Sequence, residues 1–256
     1  MWYNRVVANL GELPGFISYY EAELQAAFQK YVGKRFTVAE LQNIAAEISQ
    51  IYAARGYVAQ AKLPRQDVTD GVITIEIVEA KFGGVVFDPE QKKNLQRVTP
   101  EVLEQFVSAG QALGASIHAA NLDRQLLITD DLPGVAIQGS LVEGEKDGET
   151  QVLIKAEDKP FYMGDVSLDN QGSRSTGTFR KNASLNLQSP SGFGDLVNLS
   201  ALSTEGSTYG RIAYSLPVGY DGWRVGVNAS YMRYKLITEE TQSTKPRGDS
   251  KVVGLD

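Results

Sequence analysis

The stretch WRVGVNASYMRYKL, residues 223–236, decides how the last hundred residues fold. Trp223, Val225, Val227, Ala229 and Tyr231 alternate with Arg224, Gly226, Asn228, Ser230, Met232 and Tyr234. A period of two puts the first set on one face of a strand and the second on the other. Residues 179–188 repeat the pattern, with Phe179, Ala183, Leu185 and Leu187 opposite Arg180, Asn182, Ser184, Asn186 and Gln188. Residues 196–203 and 209–216 follow it less strictly. Between them lie Ser189-Pro190-Ser191-Gly192, Glu205-Gly206-Ser207 and Gly219-Tyr220-Asp221-Gly222, which are hairpin signals. The spacing predicts about five strands, with a sixth beginning near Lys251.

Strands of about ten residues with one apolar and one polar face suit two environments. One is a soluble sandwich. The other is a transmembrane barrel, apolar toward lipid and polar toward an enclosed lumen. About 9–11 residues tilted near 45° span the hydrocarbon layer. Phe161, Tyr162, Tyr209, Trp223 and Tyr234 near strand ends suggest an interfacial girdle. Ala183, Ala201 and Ala229 on the apolar face are weak fillers for a sandwich core. An open sheet cannot sit in lipid with unpaired edges, so the barrel reading expects further strands past Asp256.

Upstream of Lys159-Pro160 the composition differs, and helical and strand patterns alternate. Residues 3–80 read β-α-α-β-β. A short strand is expected at 5–10 and a helix at 21–31 ending at Gly33. A second helix is capped by Thr37 with Glu40 three residues on, a capping box. Leu41, Ile44, Ala45, Ile48, Ile51 and Tyr52 recur at helical spacing until Gly56. Tyr57 to Leu63 is a strand stopped by Pro64. After an Asp70-Gly71 turn, Ile73, Ile75 and Ile77 share one side of another. Residues 81–158 repeat the order. Phe82 to Phe87 is a strand, Thr99 caps a helix with Pro100 in its first position, and Ser116 caps a second carrying Ile117, Leu122, Leu126 and Leu127. After the Leu132-Pro133-Gly134 turn, Val135 to Val142 and Gln151 to Ala156 form a strand pair.

The 256 residues carry 25 Lys+Arg against 31 Asp+Glu, a net charge of -6, which argues against a nucleic-acid partner. One His and no Cys leave no thiolate or multi-His metal site, and no cofactor is expected. His118 has no paired nucleophile, and Asp130-Asp131 reads as a helix end, so no catalytic constellation assembles and no enzyme is expected. Gly192-Phe193-Gly194 is a turn, because no helix follows it. The Asn-x-Ser triplets at Asn182, Asn198 and Asn228 are what a polar strand face produces unaided. Arg247-Gly248-Asp249 reads as part of a polar loop. No apolar run approaches the length of a membrane helix, and the start shows no signal-peptide pattern.

Two β-α-α-β-β units followed by amphipathic hairpins resemble the polypeptide-transport-associated (POTRA) domains and barrel of outer-membrane protein translocators. The resemblance is to the two-partner secretion transporters of the haemolysin secretion/activation family. It is carried by Gly56-Tyr57, Leu63-Pro64-Arg65-Gln66-Asp67 and Gly71, then by Leu126-Leu127 and Asp131-Leu132-Pro133-Gly134-Val135. In the last segment it is carried by Asp169-Asn170-Gln171-Gly172, Gly192-Phe193-Gly194-Asp195, Tyr214-Ser215-Leu216-Pro217, Gly222-Trp223 and Tyr234-Lys235-Leu236.

The resemblance implies α+β POTRA domains at 1–80 and 81–158, then the first antiparallel strands of a transmembrane β-barrel over 161–256. It implies an outer-membrane location with the POTRA domains in the periplasm, and export of an extended, secreted partner protein. Outer-membrane lipid would contact the barrel. The second strand of each unit would take the client by strand addition: Tyr57, Val58, Ala59, Gln60, Ala61, Lys62 and Leu63, and Val135, Ala136, Ile137 and Gln138. Arg180, Asn182, Ser184, Asn186, Arg224, Asn228 and Ser230 would face the lumen. An insertase of barrel proteins and a soluble periplasmic β-rich binding module are the competing readings. The family's signal peptide, plug helix and inward loop match no residue of this sequence.

Overall fold

The computed structural model describes residues 29–31, 34, 36–66, 73–146, 148–238, 244 and 246–256. The expected strand at 5–10, most of the helix at 21–31 with Gly33, and the Asp70-Gly71 turn lie outside the described residues.

Helix α1, Val38–Ala54, begins where the sequence puts its cap. The Glu40 N–H donates to Thr37 Oγ1 at 3.3 Å, and the Thr37 N–H donates to the Glu40 carboxylate at 2.7 Å. The Thr37 N–H, and then the Thr37 hydroxyl, which donates to the same carboxylate at 2.9 Å, hold the Glu40 carboxyl below its usual pKa. Leu41, Ile44, Ala45 and Ile48 form one buried stripe against Phe36, Ile73 and Ile75. Strand β1, Ala59–Lys62, pairs antiparallel with β2, Glu76–Glu79, with Ala59 opposite Glu79.

Strand β3, Lys81–Phe87, is followed by a short helix α2, Pro89–Lys92, capped by Asp88. Helix α3, Pro100–Ser108, buries Val102, Leu103, Phe106 and Val107. Helix α4 is Ala119–Asp130. It starts later than the sequence suggests, because Ser116–His118 is extended. The Ile117 N–H donates to the Ala80 carbonyl, the Val58 N–H donates to the Ile117 carbonyl, and the Ser116 hydroxyl donates to buried Glu79. Backbone pairing claims these residues before a helix can. Leu127, expected on the buried face of α4, is 68% exposed. Strands β4, Val135–Glu143, and β5, Glu149–Asp158, complete a sheet of order β3-β5-β4.

Six strands follow: β6 Tyr162–Asp169, β7 Arg180–Gln188, β8 Leu196–Ser203, β9 Ser207–Pro217, β10 Arg224–Lys235 and β11 Arg247–Leu255. Each pairs antiparallel with the next, in chain order. Arg247-Gly248-Asp249 lies in β11 rather than in a loop, because Arg247, Gly248 and Asp249 pair with Lys235, Tyr234 and Arg233.

By packing, the chain divides into two units. One holds residues up to Gly84 with Gln111–Asp123 and Leu141–Val152, and the other holds Val85–Gly110, Arg124–Ser140 and Leu153–Asp256. Within the second unit, one turn of the six-stranded sheet is fastened to loops and another to helices. The Gly134 N–H donates to Gln188 Oε1 at 2.9 Å and the Ser189 hydroxyl to the Arg97 carbonyl at 3.0 Å. Gly134 has φ +92°, and a Cβ there would lie 2.9 Å from that of Ser189, so the turn needs glycine. The Tyr220 ring meets Phe106 edge-on at 5.1 Å, its hydroxyl bonds Gln105, and Arg124 pairs with Asp221 at 3.2 Å.

Candidate functional site

Strand register sorts the six-stranded sheet into transverse rows. One row of the polar face runs Asp165, Ser184, Ser200, Arg211, Ser230 and Val252. The next runs Met163, Asn186, Asn198, Ala213, Asn228 and Gly254. Asn182 shares a third with Ser167, and Arg180 faces Asp169. All seven residues expected toward a lumen therefore share one face, with Arg224 at its lower end opposite Pro217. Their polar atoms bond across strands. Arg180 Nε donates to Asp169 at 2.7 Å, Asn182 to Asp169 at 3.1 Å, and Asn198 to Asn186 at 2.7 Å. Ser184 donates to Asp165, Asn228 donates to Asp256, and Arg224 donates to the Gly194 carbonyl. The face is not uniformly polar, since Leu202, Tyr209 and Met232 lie on it.

The opposite face carries Val166, Leu185, Leu199, Ile212, Val227 and Val253, and no second sheet covers it among the described residues. Val166 is 79% exposed and Val253 82%. A soluble sandwich would bury that face, and here it lies bare among the described residues. The apolar band stops at a row of Lys181, Ser203, Thr208, Arg233 and Asp249. Tyr162 and Trp223 stand on the apolar face, at 69% and 75% exposure. Tyr209 and Tyr234, expected in the girdle, lie on the polar face instead, by the parity of their strands. Tyr214 and Tyr231 stand on the apolar face of the same two strands. Phe161 packs under the Arg97 guanidinium, 4.6 Å from its ring centre.

The two expected client strands each lie at a sheet edge among the described residues: β1 beside β2, and β4 beside β5. Val58 and Leu63 flank β1, while Tyr57 bridges His118 and meets its ring edge-on at 5.1 Å. Gln60 and Lys62 pair toward β2, so the amides of Ala59 and Ala61 face away from it. In β4, Val135 and Ile137 are buried, Ala136 is half-buried and Gln138 exposed. Two edge amides are already engaged. The Ala61 N–H donates to Ser49 Oγ at 2.9 Å, and the Ile137 N–H donates to Asp130 Oδ1 at 2.8 Å. Ser49 carries no sequence motif, and Asp130, read from the sequence as part of a helix end, gave no sign of its bond to the strand.

Beside β1, Glu79 is buried and Tyr52 is pushed up to about 12 by burial and then by the Glu79 charge. No group of three or more His, Asp or Glu among the described residues can hold a metal ion. No described helix is long and apolar enough to cross a membrane.

Residues 12–80 match the family model of the ShlB-type POTRA domain, and residues 148–256 match that of the haemolysin secretion/activation protein ShlB/FhaC/HecB. The chain belongs to the haemolysin secretion/activation family. Among curated members of this family, the heme/hemopexin transporter protein HuxB of Haemophilus influenzae is 31% identical over 84% of this chain and 38% of its own length. The hemolysin transporter protein HpmB of Proteus mirabilis is 25% identical over 85% of this chain and 38% of its own. This chain therefore spans about two-fifths of the length of these relatives. The solved structure of CdiB from Escherichia coli covers all of it, with a TM-score of 0.72 at 20% identity, while the chain covers 47% of that structure. The fold is a POTRA domain with an antiparallel sheet resembling the start of a haemolysin-secretion barrel, and in this chain the sheet is open, with β6 and β11 at its edges.

Proposed function

We propose that this protein is a passive outer-membrane translocator that captures an extended, secreted partner protein in the periplasm and exports it through its barrel. The observation that carries the reading is the six-stranded sheet itself. Its bare apolar face suits lipid, and its opposite face is cross-linked by side-chain hydrogen bonds suited to enclosed water. Relatives named as heme/hemopexin and hemolysin transporters support the same activity.

The first POTRA domain runs to residue 80, the second covers 81–158, and the barrel begins at 161. Client strands add to Tyr57–Leu63 and to Val135–Gln138, where main-chain bonds give affinity without demanding one sequence. Arg180, Asn182, Ser184, Asn186, Arg224, Asn228 and Ser230 line the wet path. Polar groups satisfied by one another offer a sliding chain little to grip. The driving free energy comes from binding and from folding outside the cell.

The test is site-specific cross-linking during export. A photoreactive residue at Ser184, Asn228 or Ser230 should trap the exported partner, and one at Ile212 or Val253 should trap lipid or nothing. Equal trapping of the partner from both faces overturns the reading.

A further inference from the structure

The client-facing edge of the second POTRA unit is closed at one position by the protein's own side chain. The Gly144 N–H donates to the Glu149 carbonyl at 2.9 Å, and the Lys159 N–H to the Gly134 carbonyl at 3.0 Å. These two bonds bracket the β4–β5 hairpin and fix its parity. Even-numbered residues of β4 exchange bonds with β5, and the amides of Ile137 and Gly139 face the free edge. A client strand needs those amides. The one at Ile137 is taken by the Asp130 carboxylate at 2.8 Å.

Asp130 closes α4 at its C-terminal end, where the helix dipole disfavours a negative charge. Its position is explained by the strand it reaches rather than by the helix it ends. The first unit repeats the device with a weaker group. The Ser49 hydroxyl donates to the Ala45 carbonyl and accepts from the Ala61 N–H, again a helix side chain on an outward amide. A carboxylate makes the stronger, charge-assisted bond. Asp130 also lines a cleft of about 390 Å³ with Asp131, Lys159, Asn186 and Gln188. Asn186 and Gln188 belong to the polar face of β7. The guarded end of β4 is thus the end that meets the polar sheet face.

We infer that Asp130 is an internal competitor for the β4 edge. The client pairs first at the unguarded amide of Gly139. It then zips toward Ile137 by displacing the carboxylate, which lays the chain into the cleft beside Asn186 and Gln188. The guard also keeps an idle edge from pairing with other chains. The inference rests on the client-edge reading above and adds the residue that controls it.

The probe is a ten-residue peptide of alternating threonine and valine with a lysine at each end, titrated against the full protein in lipid vesicles. Fluorescence anisotropy reads affinity, and amide hydrogen exchange reads where the peptide pairs. Asp130→Ala should bind at least tenfold more tightly, about 1.4 kcal/mol, and extend peptide-induced protection from Gly139 to Ile137. Asp130→Asn, which keeps an acceptor without the charge, should tighten binding at least threefold, and it carries the test if the alanine variant does not fold. Unchanged or weaker binding by the variants, with Gly139 protected in the unaltered protein, overturns the guard alone. A peptide that protects Gly139 in none of the proteins overturns the client edge, and the guard with it.

Discussion

Arginine at Ile212 tests the proposed lipid contact apart from every other role of the sheet. Ile212 lies between Leu199 and Ala229 on the apolar face and is 53% exposed. Along neighbouring β10 the outward positions run Trp223, Val225, Val227, Ala229 and Tyr231 before the charge of Arg233. Eight residue steps at about 3.3 Å give a band about 26 Å long, or about 20 Å high at a tilt near 40°. Ile212, level with Ala229, sits about 5 Å from the middle of that band, half-way to its edge. On the proposed barrel a cationic side chain costs about 2–4 kcal/mol at the midplane and about 0–1 near the interface, so about 1–3 kcal/mol is expected here and the folding equilibrium in vesicles should fall by roughly 5- to 140-fold. Ala213→Arg is the matched control. It places the same charge one residue along, on the polar face between Asn198 and Asn228, and should cost less than about 1 kcal/mol. Urea titration of vesicle-embedded protein, followed by heat-modifiable gel migration, measures both. Equal losses from the two variants would refute the assignment of the faces.

Thr37→Ala should remove about 1 kcal/mol from the first unit by leaving the amide of Glu40 uncapped, read as a lower denaturation midpoint. Gly134→Ala should cost more than about 1 kcal/mol, because φ +92° and the Ser189 Cβ both oppose a side chain there. Its unfolding midpoint should fall while Pro133→Ala leaves it nearly unchanged. Tyr52 adds an alkaline limit. Its folded pKa of about 12 stands above the ordinary 10.0, so the fold favours the neutral phenol. That contribution is complete below pH 10 and disappears as pH rises through 12. Spectroscopic titration should show a late tyrosinate, and Tyr52→Phe should remove this part of the alkaline loss.

The repeating elements were legible because their periods are local. The capping box at Thr37 and the stripe from Leu41 to Ile48 located α1 to within a residue or two of its observed ends. The alternation over 179–188 and 223–236 located β7 and β10 as closely. The failures share one cause. Ser116 looks like a helix cap, but Ala80, Phe82 and Val58 recruit the backbone around it into sheet pairing. Arg247-Gly248-Asp249 is polar enough for a loop, yet β10 supplies a pairing partner for each residue. In both places a tertiary neighbour outweighs local preference. The girdle error at Tyr209 and Tyr234 is one of parity, which register fixes and position near a strand end does not.

The same distinction explains why the polar face could be read from sequence and the Asp130 bond to the β4 edge could not. Alternate side chains record the two faces of a strand, so Asn182, Ser184 and Asn186 reveal an environment by their spacing alone. The two edges leave no such record, because every residue contributes the same N–H and C=O whichever neighbour takes them. Whether the amide of Ile137 meets a sheet, a client or the carboxylate of Asp130 depends on where α4 ends relative to β4. On the proposed function, the working parts therefore lie out of reach of pattern. A side chain seven residues away in sequence, holding one main-chain amide, is where such control has to be sought.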